Sequence, residues 1–254
     1  MEDKIQQALE HIEKEEYNSA INIFEELIED DAENAYLYNN LATIHYKKGN
    51  YDKAIELFQK AIELDIDNQG IYQNLADVYM AAENIEYALT TLQECVSINR
   101  SNPGPLYHLS RILILDHQLY SAIEYLEKVV EYAPNNTDAR YDLARSYYEI
   151  GEYENAIEQY ETIQVELPKS PDILFHLGCA YLEQYRLNDA INIFNEVIKE
   201  SPNYLPVYKK LGMLYLTQDN HKEAKKYFEA YKKNIVDEEE IKYIENIICK
   251  LKTD

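Results

Sequence analysis

The chain has 254 residues and carries 47 acidic against 24 basic side chains, a formal net charge of −23. A surface this negative argues against nucleic acid and anionic membranes as partners. No apolar run is long enough to span a membrane, and the start lacks the charged-then-apolar pattern of a signal peptide. The three cysteines are too few and too scattered for a disulfide framework, so we expect a cytoplasmic protein.

An alanine recurs every thirty-four residues along the chain. In order, these alanines are Ala20, Ala54, Ala88, Ala122, Ala156, Ala190 and Ala224. A fixed period of this length indicates a stacked repeat. We number each repeat so that its alanine is position 20, which makes 1–34 the first repeat and 205–238 the seventh.

Each repeat is predicted to form two helices. Positions 4, 7, 8 and 11 share one face of a first helix, and positions 17, 20, 24 and 27 share one face of a second. The small residues at positions 8 and 20 let the two backbones approach, and bulky residues at positions 11 and 24 fill the space beside them. Gly49 and Gly151 at position 15 suit the turn between the helices. Proline at position 32 should end the second helix at Pro134, Pro168 and Pro202.

The two ends differ from the middle. Lys4 and Gln7 stand where other repeats have mostly apolar residues, as fits a terminal repeat. After the seventh repeat, Asp237 is a predicted N-cap of one more helix. The apolar stripe of that helix consists of Ile241, Ile244, Ile248 and Leu251. We interpret residues 237–254 as a capping helix that covers the last repeat, and a dimerisation surface is the alternative.

The pattern resembles the tetratricopeptide repeat (TPR), a family whose period is thirty-four residues. The best match is residues 35–68, which have Tyr38, Leu41, Ala42, Gly49, Tyr51, Ala54, Phe58 and Ala61. The resemblance covers seven repeats: 1–34, 35–68, 69–102, 103–136, 137–170, 171–204 and 205–238. It implies an all-α fold, a right-handed α-solenoid of helix-turn-helix repeats.

In this family the first helices line a concave groove, and ligand contacts come mainly from positions 2, 5, 6, 9, 12 and 13. The resemblance therefore implies a set of partner-binding residues in this chain. They are Tyr36, Asn39, Thr43, Tyr46, Gln73, Asp77, Tyr107, His108, Arg111, Tyr141, Arg145, Tyr148, Phe175, Cys179 and Lys209. We expect Cys179 to be exposed in the groove.

The centre of this predicted groove combines aromatic and basic residues. Position 5 is aromatic in three successive repeats, at Tyr107, Tyr141 and Phe175, and position 9 is Arg111 and then Arg145. Tyrosine and arginine are enriched at binding hot spots, and arginine can bind a carboxylate through two hydrogen bonds. The alternative is internal pairing of both arginines with Asp77, Asp142 or Glu149.

Charge is unevenly distributed along the chain. Residues 1–204 hold 14 Lys and Arg against 38 Asp and Glu, whereas residues 205–254 hold 10 against 9. The acidic part either keeps the surface solvated or attracts a basic partner. The lysine-rich end could meet the acidic end of another copy, which would allow weak self-association through the ends.

Two familiar activities find no support. Chaperone C-terminal carboxylates are held by a clamp of Lys, Asn and Arg at set positions, and although Asn40 and Asn74 occupy one of these positions, no three repeats hold the full set. The chain also lacks a phosphate-binding glycine loop, a Cys-x-x-Cys motif and a His-Glu-x-x-His pair. We expect no catalytic residues, no metal and no cofactor.

The sequence therefore predicts a non-catalytic scaffold or adaptor that binds a peptide or helix of a partner protein in its groove. A chaperone or subunit that wraps one specific partner is one alternative. A regulatory or adaptor chain of an enzyme complex is the other.

Overall fold

The structure is a computed structural model that describes residues 1–167 and 169–251. Pro168 and the last three residues of the predicted capping segment, 252–254, lie outside the described residues. The described part of the chain forms fifteen α-helices and no strand, which confirms the all-α prediction. The helices are α1 (Glu2–Glu13), α2 (Tyr17–Asp30), α3 (Ala35–Lys47), α4 (Tyr51–Leu64), α5 (Gln69–Ala81), α6 (Ile85–Ile98), α7 (Pro103–Leu115), α8 (Leu119–Tyr132), α9 (Thr137–Glu149), α10 (Tyr153–Glu166), α11 (Pro171–Glu183), α12 (Leu187–Glu200), α13 (Leu205–Thr217), α14 (His221–Lys232) and α15 (Glu238–Lys250).

The chain divides into two compact units, residues 1–139 (unit 1) and residues 140–254 (unit 2). In unit 1, each of the helices from α1 to α8 packs on the next one along the chain. In unit 2, the same holds from α10 to α15. The odd-numbered helices from α1 to α13 are the first helices of the repeats, and the even-numbered helices from α2 to α14 are the second.

The two columns that define the repeat are buried throughout. The alanine at position 20 is fully buried in all seven repeats. The large side chain at position 24 is at most 1% exposed in every repeat, whether it is phenylalanine, leucine or Tyr160. Because both columns come from the second helix, burying them requires the first helix of the same repeat to pack against it.

The turn between the two helices has the same backbone conformation in every repeat. Position 15 has a positive φ in all seven repeats, at Glu15, Gly49, Glu83, His117, Gly151, Tyr185 and Asp219. In each repeat the N–H of position 16 donates to the carbonyl oxygen of position 11 at 2.8–2.9 Å. This is the Schellman arrangement that ends helices with one left-handed residue. The prediction for Gly49 and Gly151 is confirmed, and five non-glycine residues adopt the same conformation.

Prolines and polar caps mark other helix ends. Helix α8 ends at Tyr132 and helix α12 at Glu200, two residues before Pro134 and Pro202. Proline restricts the preceding residue to extended backbone, so a helix ends before it. The Asn34 side chain accepts a hydrogen bond from the N–H of Tyr36 at 3.2 Å and so caps α3.

Helix α15 packs on the last repeat. The Asp237 side chain caps it by accepting from the N–H of Glu240 at 2.9 Å. Ile244 and Leu251 join Ala224 and Phe228 in one buried cluster. This contact removes the apolar edge of α14 from water within unit 2.

Candidate functional site

The predicted binding residues divide between the two units. Nine of them form the unit 1 face: Tyr36, Asn39, Thr43, Tyr46, Gln73, Asp77, Tyr107, His108 and Arg111. Six form the unit 2 face: Tyr141, Arg145, Tyr148, Phe175, Cys179 and Lys209. Each set lies on the first helices of its own unit.

On the unit 1 face, side chains of neighbouring first helices bind each other. The Asn74 Nδ2 of α5 donates to the Asn39 Oδ1 of α3 at 3.0 Å. The His108 Nε2 of α7 lies 3.0 Å from the Asp77 Oδ1 of α5, and since an ionised carboxylate only accepts, the imidazole nitrogen donates. Asp77 is one of the carboxylates considered for pairing with an arginine, and its partner is a histidine.

The remaining unit 1 residues differ in exposure. Tyr36 is exposed, whereas Thr43, Tyr46 and Gln73 are half-buried. The Thr43 Oγ1 donates to the carbonyl oxygen of Asn39 at 2.8 Å, so towards a partner it can act only as an acceptor. The Tyr46 ring packs against the Tyr51 ring at a centroid distance of 6.1 Å.

Tyr107 and Arg111 lie one helical turn apart on α7. The Arg111 Cζ is 5.9 Å from the centroid of the Tyr107 ring, within the range of a cation–π interaction. Arg111 is exposed and Tyr107 half-buried. A charge over a ring in this geometry is worth about 0.5–1 kcal/mol at an exposed site, so it orients the guanidinium without fixing it.

The unit 2 face is built around a group of aromatic rings. The His176 ring contacts the Tyr141 ring at 5.8 Å and the Phe175 ring at 5.7 Å, both edge to face. It also stacks on the buried Tyr160 ring at 6.1 Å. Phe175 in turn contacts the Tyr204 ring at 5.3 Å. The predicted aromatic column at position 5 is thus continued in this unit through His176, which is at position 6, one of the ligand-facing positions.

His176 is held in its neutral form. Burial lowers its pKa below the ordinary value near 6.5, and the positive charge of Arg145 lowers it further. At neutral pH the ring is therefore an uncharged aromatic surface between Tyr141 and Phe175. Such a surface adds to the aromatic contact area and brings no positive charge to it.

Arg145 pairs with Glu149, as the alternative of internal pairing predicts. Its Nη2 lies 3.5 Å from the Glu149 Oε1, one helical turn along α9. Both side chains are about half exposed, at 50% and 46%. Exposed pairs of this type are worth about 0.3–0.5 kcal/mol, so Arg145 can exchange Glu149 for a carboxylate of a partner at small cost.

The expectation that Cys179 is exposed in the groove is wrong. Only 6% of the residue is exposed, and burial raises the pKa of its thiol to about 11. Its neighbours on α11, Gly178 and Ala180, are fully packed as well. A small apolar thiol on a helix that is buried over most of its circumference packs inward, so Cys179 does not reach a ligand. Tyr148 is half-buried, and its hydroxyl donates to the Glu183 Oε1 at 3.4 Å.

A pocket of about 560 Å³ opens beside Phe175 in unit 2. Its lining consists of Phe175, Leu205, Pro206, Lys209, Lys210, Met213, Tyr231 and Ile235. The Lys209 Nζ lies 2.7 Å from the Glu240 Oε1, so its charge is already balanced by α15. Lys210 supplies a second ammonium group to the lining.

The sequence located only part of this pocket. Phe175 and Lys209 are on the predicted columns, but Tyr231 and Ile235 come from the end of α14 and the link to α15. Tyr231 is at position 27 of the seventh repeat, on the predicted face of its second helix, and Ile235 is at position 31. The 34-residue period predicts the helix that carries Tyr231, but it does not predict that either side chain lines a pocket.

No group of three His, Cys, Asp or Glu side chains within residues 1–167 and 169–251 could hold a metal ion. None of the helices in those same ranges is both long enough and apolar enough to cross a membrane.

Models of the tetratricopeptide repeat match most of the chain. The matched residues are 35–68, 70–102, 113–174 and 181–245. The chain therefore belongs to the tetratricopeptide repeat family. Proteins of this family act as protein-interaction scaffolds.

Solved structures of TPR proteins are similar in fold. The C-terminal part of a TPR repeat-containing protein from Cytophaga hutchinsonii has a TM-score of 0.80 at 15% identity, covering 94% of this chain and 98% of that one. A tetratricopeptide repeat protein from Parabacteroides merdae has a TM-score of 0.61 at 20% identity, with 98% of both chains covered. YrrB, reported as a TPR protein with an unusual peptide-binding site, has a TM-score of 0.62 at 23% identity over 78% of this chain and 97% of its own. No curated protein sequence matches the chain.

Proposed function

We propose that the protein is a non-catalytic scaffold that holds a peptide or helix of a partner protein on its first helices and acts as an adaptor. The observation that carries this proposal is the pocket beside Phe175 in unit 2. Its volume of about 560 Å³ lies in the range of ligand-binding pockets, which are concave and mostly apolar with a few polar groups.

The lining of the pocket defines the chemistry of the segment it would bind. Leu205, Pro206, Met213 and Ile235 offer apolar surface, which favours a large apolar side chain as the anchor. Lys210 favours a carboxylate next to that anchor, since Lys209 is already paired with Glu240. The expected ligand is therefore an extended or helical segment with a large apolar residue flanked by Asp or Glu.

The aromatic rings of unit 2 extend this surface. Phe175 lines the pocket and contacts His176, which contacts Tyr141. Rigid aromatic side chains give large contact area at a low entropy cost, and they concentrate binding energy at interfaces. Arg145 lies one turn beyond Tyr141 on α9 and offers a second cation for an acidic partner.

The unit 1 face stays in the proposal as a contact surface of its own. Tyr36 and Arg111 are exposed there, and Arg111 lies over the Tyr107 ring. YrrB, which shares the fold, has a peptide-binding site according to its reported description. That description supports peptide binding by this chain as a proposal.

Peptide display tests the proposal directly. Random twelve-residue peptides would be selected on the purified chain, and the affinity of enriched peptides measured by calorimetry for the natural chain, Lys210→Glu and Lys222→Glu. Lys222 is an exposed lysine of α14 outside the pocket lining, so it controls for net charge. We expect enrichment of an apolar residue beside Asp or Glu, and at least about tenfold weaker binding for Lys210→Glu alone, equivalent to about 1.4 kcal/mol. Enriched peptides that bind both variants equally would rule out the pocket as the site.

Capture of partners from cell extract separates the scaffold from the alternatives. Several proteins that share one short motif would support an adaptor. A single stoichiometric partner would indicate a chaperone or subunit, and a single enzyme would indicate a regulatory chain.

Two further proposals concern the setting of the protein. We propose a cytoplasmic location, which the free and buried thiols of Cys95 and Cys179 support because they fit a reducing compartment. Self-association through the lysine-rich end has weaker support, because three of its lysines already pair within unit 2: Lys209 with Glu240, Lys226 with Glu223 and Lys232 with Glu245.

A further inference from the structure

Unit 1 contains a second pocket that none of the predicted binding residues lines. Its volume is about 450 Å³, and it lies where α5 packs between the second helices α4 and α6. Three tyrosines and two carboxylates contribute to its lining: Tyr72 and Tyr79 of α5, Tyr87 and Glu94 of α6, and Glu63 of α4. Tyr72 and Tyr79 are seven residues apart and so share one face of α5. Gln73 is the next residue after Tyr72 and lies on a different face of the helix.

The rings form walls that are already fixed in place. Tyr72 and Tyr79 are only 5% and 8% exposed, so packing holds both rings. The Tyr79 ring stacks on the Tyr87 ring at a centroid distance of 5.4 Å and an angle of 25°. The Gln59 Nε2 also donates to the Tyr79 hydroxyl at 3.3 Å. Tyr87 is 58% exposed and therefore presents ring surface to solvent at the mouth of the pocket.

Negative charge adjoins these rings. Glu94 is close enough to Tyr72 and Tyr79 for its charge to raise the pKa of both hydroxyls, in addition to the larger effect of burial. Glu63 is held by Lys60 at 2.9 Å, but both side chains are exposed, and such pairs contribute little. A cation that enters the pocket would therefore meet ring faces and at least one carboxylate.

The charge of the whole unit favours the same ligand. Residues 1–139 carry 9 Lys and Arg against 26 Asp and Glu, a formal charge of −17. A field of this sign raises the local concentration of cations and increases the association rate of basic partners. It opposes phosphate groups and acidic peptides, and two carboxylates in the lining disfavour a purely apolar side chain.

We propose that this pocket binds the guanidinium group of an arginine side chain on a partner protein. Arginine fits better than lysine, because its planar group stacks on a tyrosine face while its N–H groups still reach a carboxylate. Cation–π attraction to the exposed ring of Tyr87, which is held in place by its stacking on Tyr79, and an ion pair with Glu94 act on the same group. This site is independent of the pocket beside Phe175, with which it shares no residue.

Nuclear magnetic resonance with two matched peptides tests the proposal. The probes are acetyl-GGRGG-amide and acetyl-GGQGG-amide, titrated at low salt into the full isotopically labelled chain. We expect the arginine peptide to shift signals of α4, α5 and α6 around Tyr87, and the glutamine peptide to leave them unchanged. Shifts of equal size from both peptides, or none from the arginine peptide at millimolar concentration, would overturn the proposal.

Two variants then assign the effect to the pocket. Glu94→Gln keeps the shape of the side chain and removes its charge, and Glu86→Gln makes the same change at an exposed site of α6 outside the lining. We expect Glu94→Gln to weaken binding about five- to tenfold, because it removes a charge-assisted hydrogen bond to the guanidinium. We expect Glu86→Gln to weaken binding by less than about twofold, because its charge is distant from the pocket and screened by solvent. Tyr87→Ala, at a largely exposed position, should weaken binding as well. Undiminished binding in both Glu94→Gln and Tyr87→Ala would contradict the site.

Discussion

Gly178 of α11 lies against the ring of Phe194 of α12, so closely that a Cβ atom at Gly178 would come within 2.5 Å of the Phe194 Cε1. The same relationship joins Gly212 to Phe228, where the closest ring carbons would be 2.7 Å away. Position 8 and position 24 of a repeat therefore share one space. In these two repeats the ring takes so much of it that no methyl group fits without movement.

Gly178→Ala should destabilise the protein by roughly 1–3 kcal/mol, because overpacking forces the ring or the helix to shift. The measurement is urea unfolding followed by circular dichroism. Gly104→Ala is the control, since its Cβ would meet only the side chains of Asn102 and Gln73, at 3.5 and 3.7 Å, which is ordinary van der Waals contact. In the Phe194→Leu background the cost of Gly178→Ala should shrink, and purely additive effects of the two changes would contradict a shared space.

Glu83→Gly should stabilise the protein by about 0.5–1 kcal/mol. A left-handed conformation costs a non-glycine residue about 1–2 kcal/mol, and glycine removes this cost. Part of the gain is lost again, because glycine gives up more backbone entropy on folding. Glu83 has φ of 59°. Gly49→Ala is the converse change, at φ of 77° and with no atom within 4 Å of the new Cβ. It should cost about 1 kcal/mol from backbone strain alone. If both variants unfold at the same urea concentration as the natural chain, position 15 carries no strain.

The stability of unit 2 should fall as the pH drops through the ordinary pKa of histidine. Burial and Arg145 lower the pKa of His176 in the folded state. The unfolded chain therefore binds the proton more readily, so the stabilisation is complete above about pH 6.5 and is lost as the pH falls below it. Urea unfolding at about pH 7.5 and about pH 5.5 measures the difference. His176→Phe keeps a ring in the aromatic group and should reduce that difference, whereas an unchanged difference would show that other groups cause it.

Cys249 should react with iodoacetamide much faster than Cys95 or Cys179 in the folded protein. Cys249 is exposed, whereas burial raises the pKa of both other thiols to about 11. At about pH 8 few of these buried thiols are ionised, and the thiolate is the reactive form. Mass spectrometry of the peptides at successive times gives the three rates. Modification of Cys179 as fast as that of Cys249 would restore it as an accessible residue of the unit 2 face.

Most of the fold could be predicted from the sequence because its determinants repeat. Position 20 and position 24 are buried in every repeat, and the two residues are one helical turn apart, so the pattern is visible within each thirty-four residues. The turn could be predicted only at Gly49 and Gly151. At Tyr185 and Asp219 the same conformation is set by backbone hydrogen bonds, which leave no mark on side-chain identity.

The candidate site was harder to predict than the fold. The position of a residue within the repeat identifies whether it lies on a first helix, but it does not determine how its side chain packs. Cys179 was therefore assigned to the surface although it is buried. The contribution of His176 depends on ring contacts with its sequence neighbour Phe175 and with Tyr141 and Tyr160 on other helices, and these contacts are set by side-chain packing. Whether the predicted residues bind a partner remains a prediction.

The backbone turn at position 15 has a consequence for how such a chain can change in evolution. Each turn closes on itself through the hydrogen bond from position 16 to position 11, without help from any particular side chain. A duplicated or deleted stretch of thirty-four residues would thus bring its own complete junction with it. The chain can then gain or lose whole repeats while the turns stay intact. The exposed residues at position 15 can change in charge without loss of the turn.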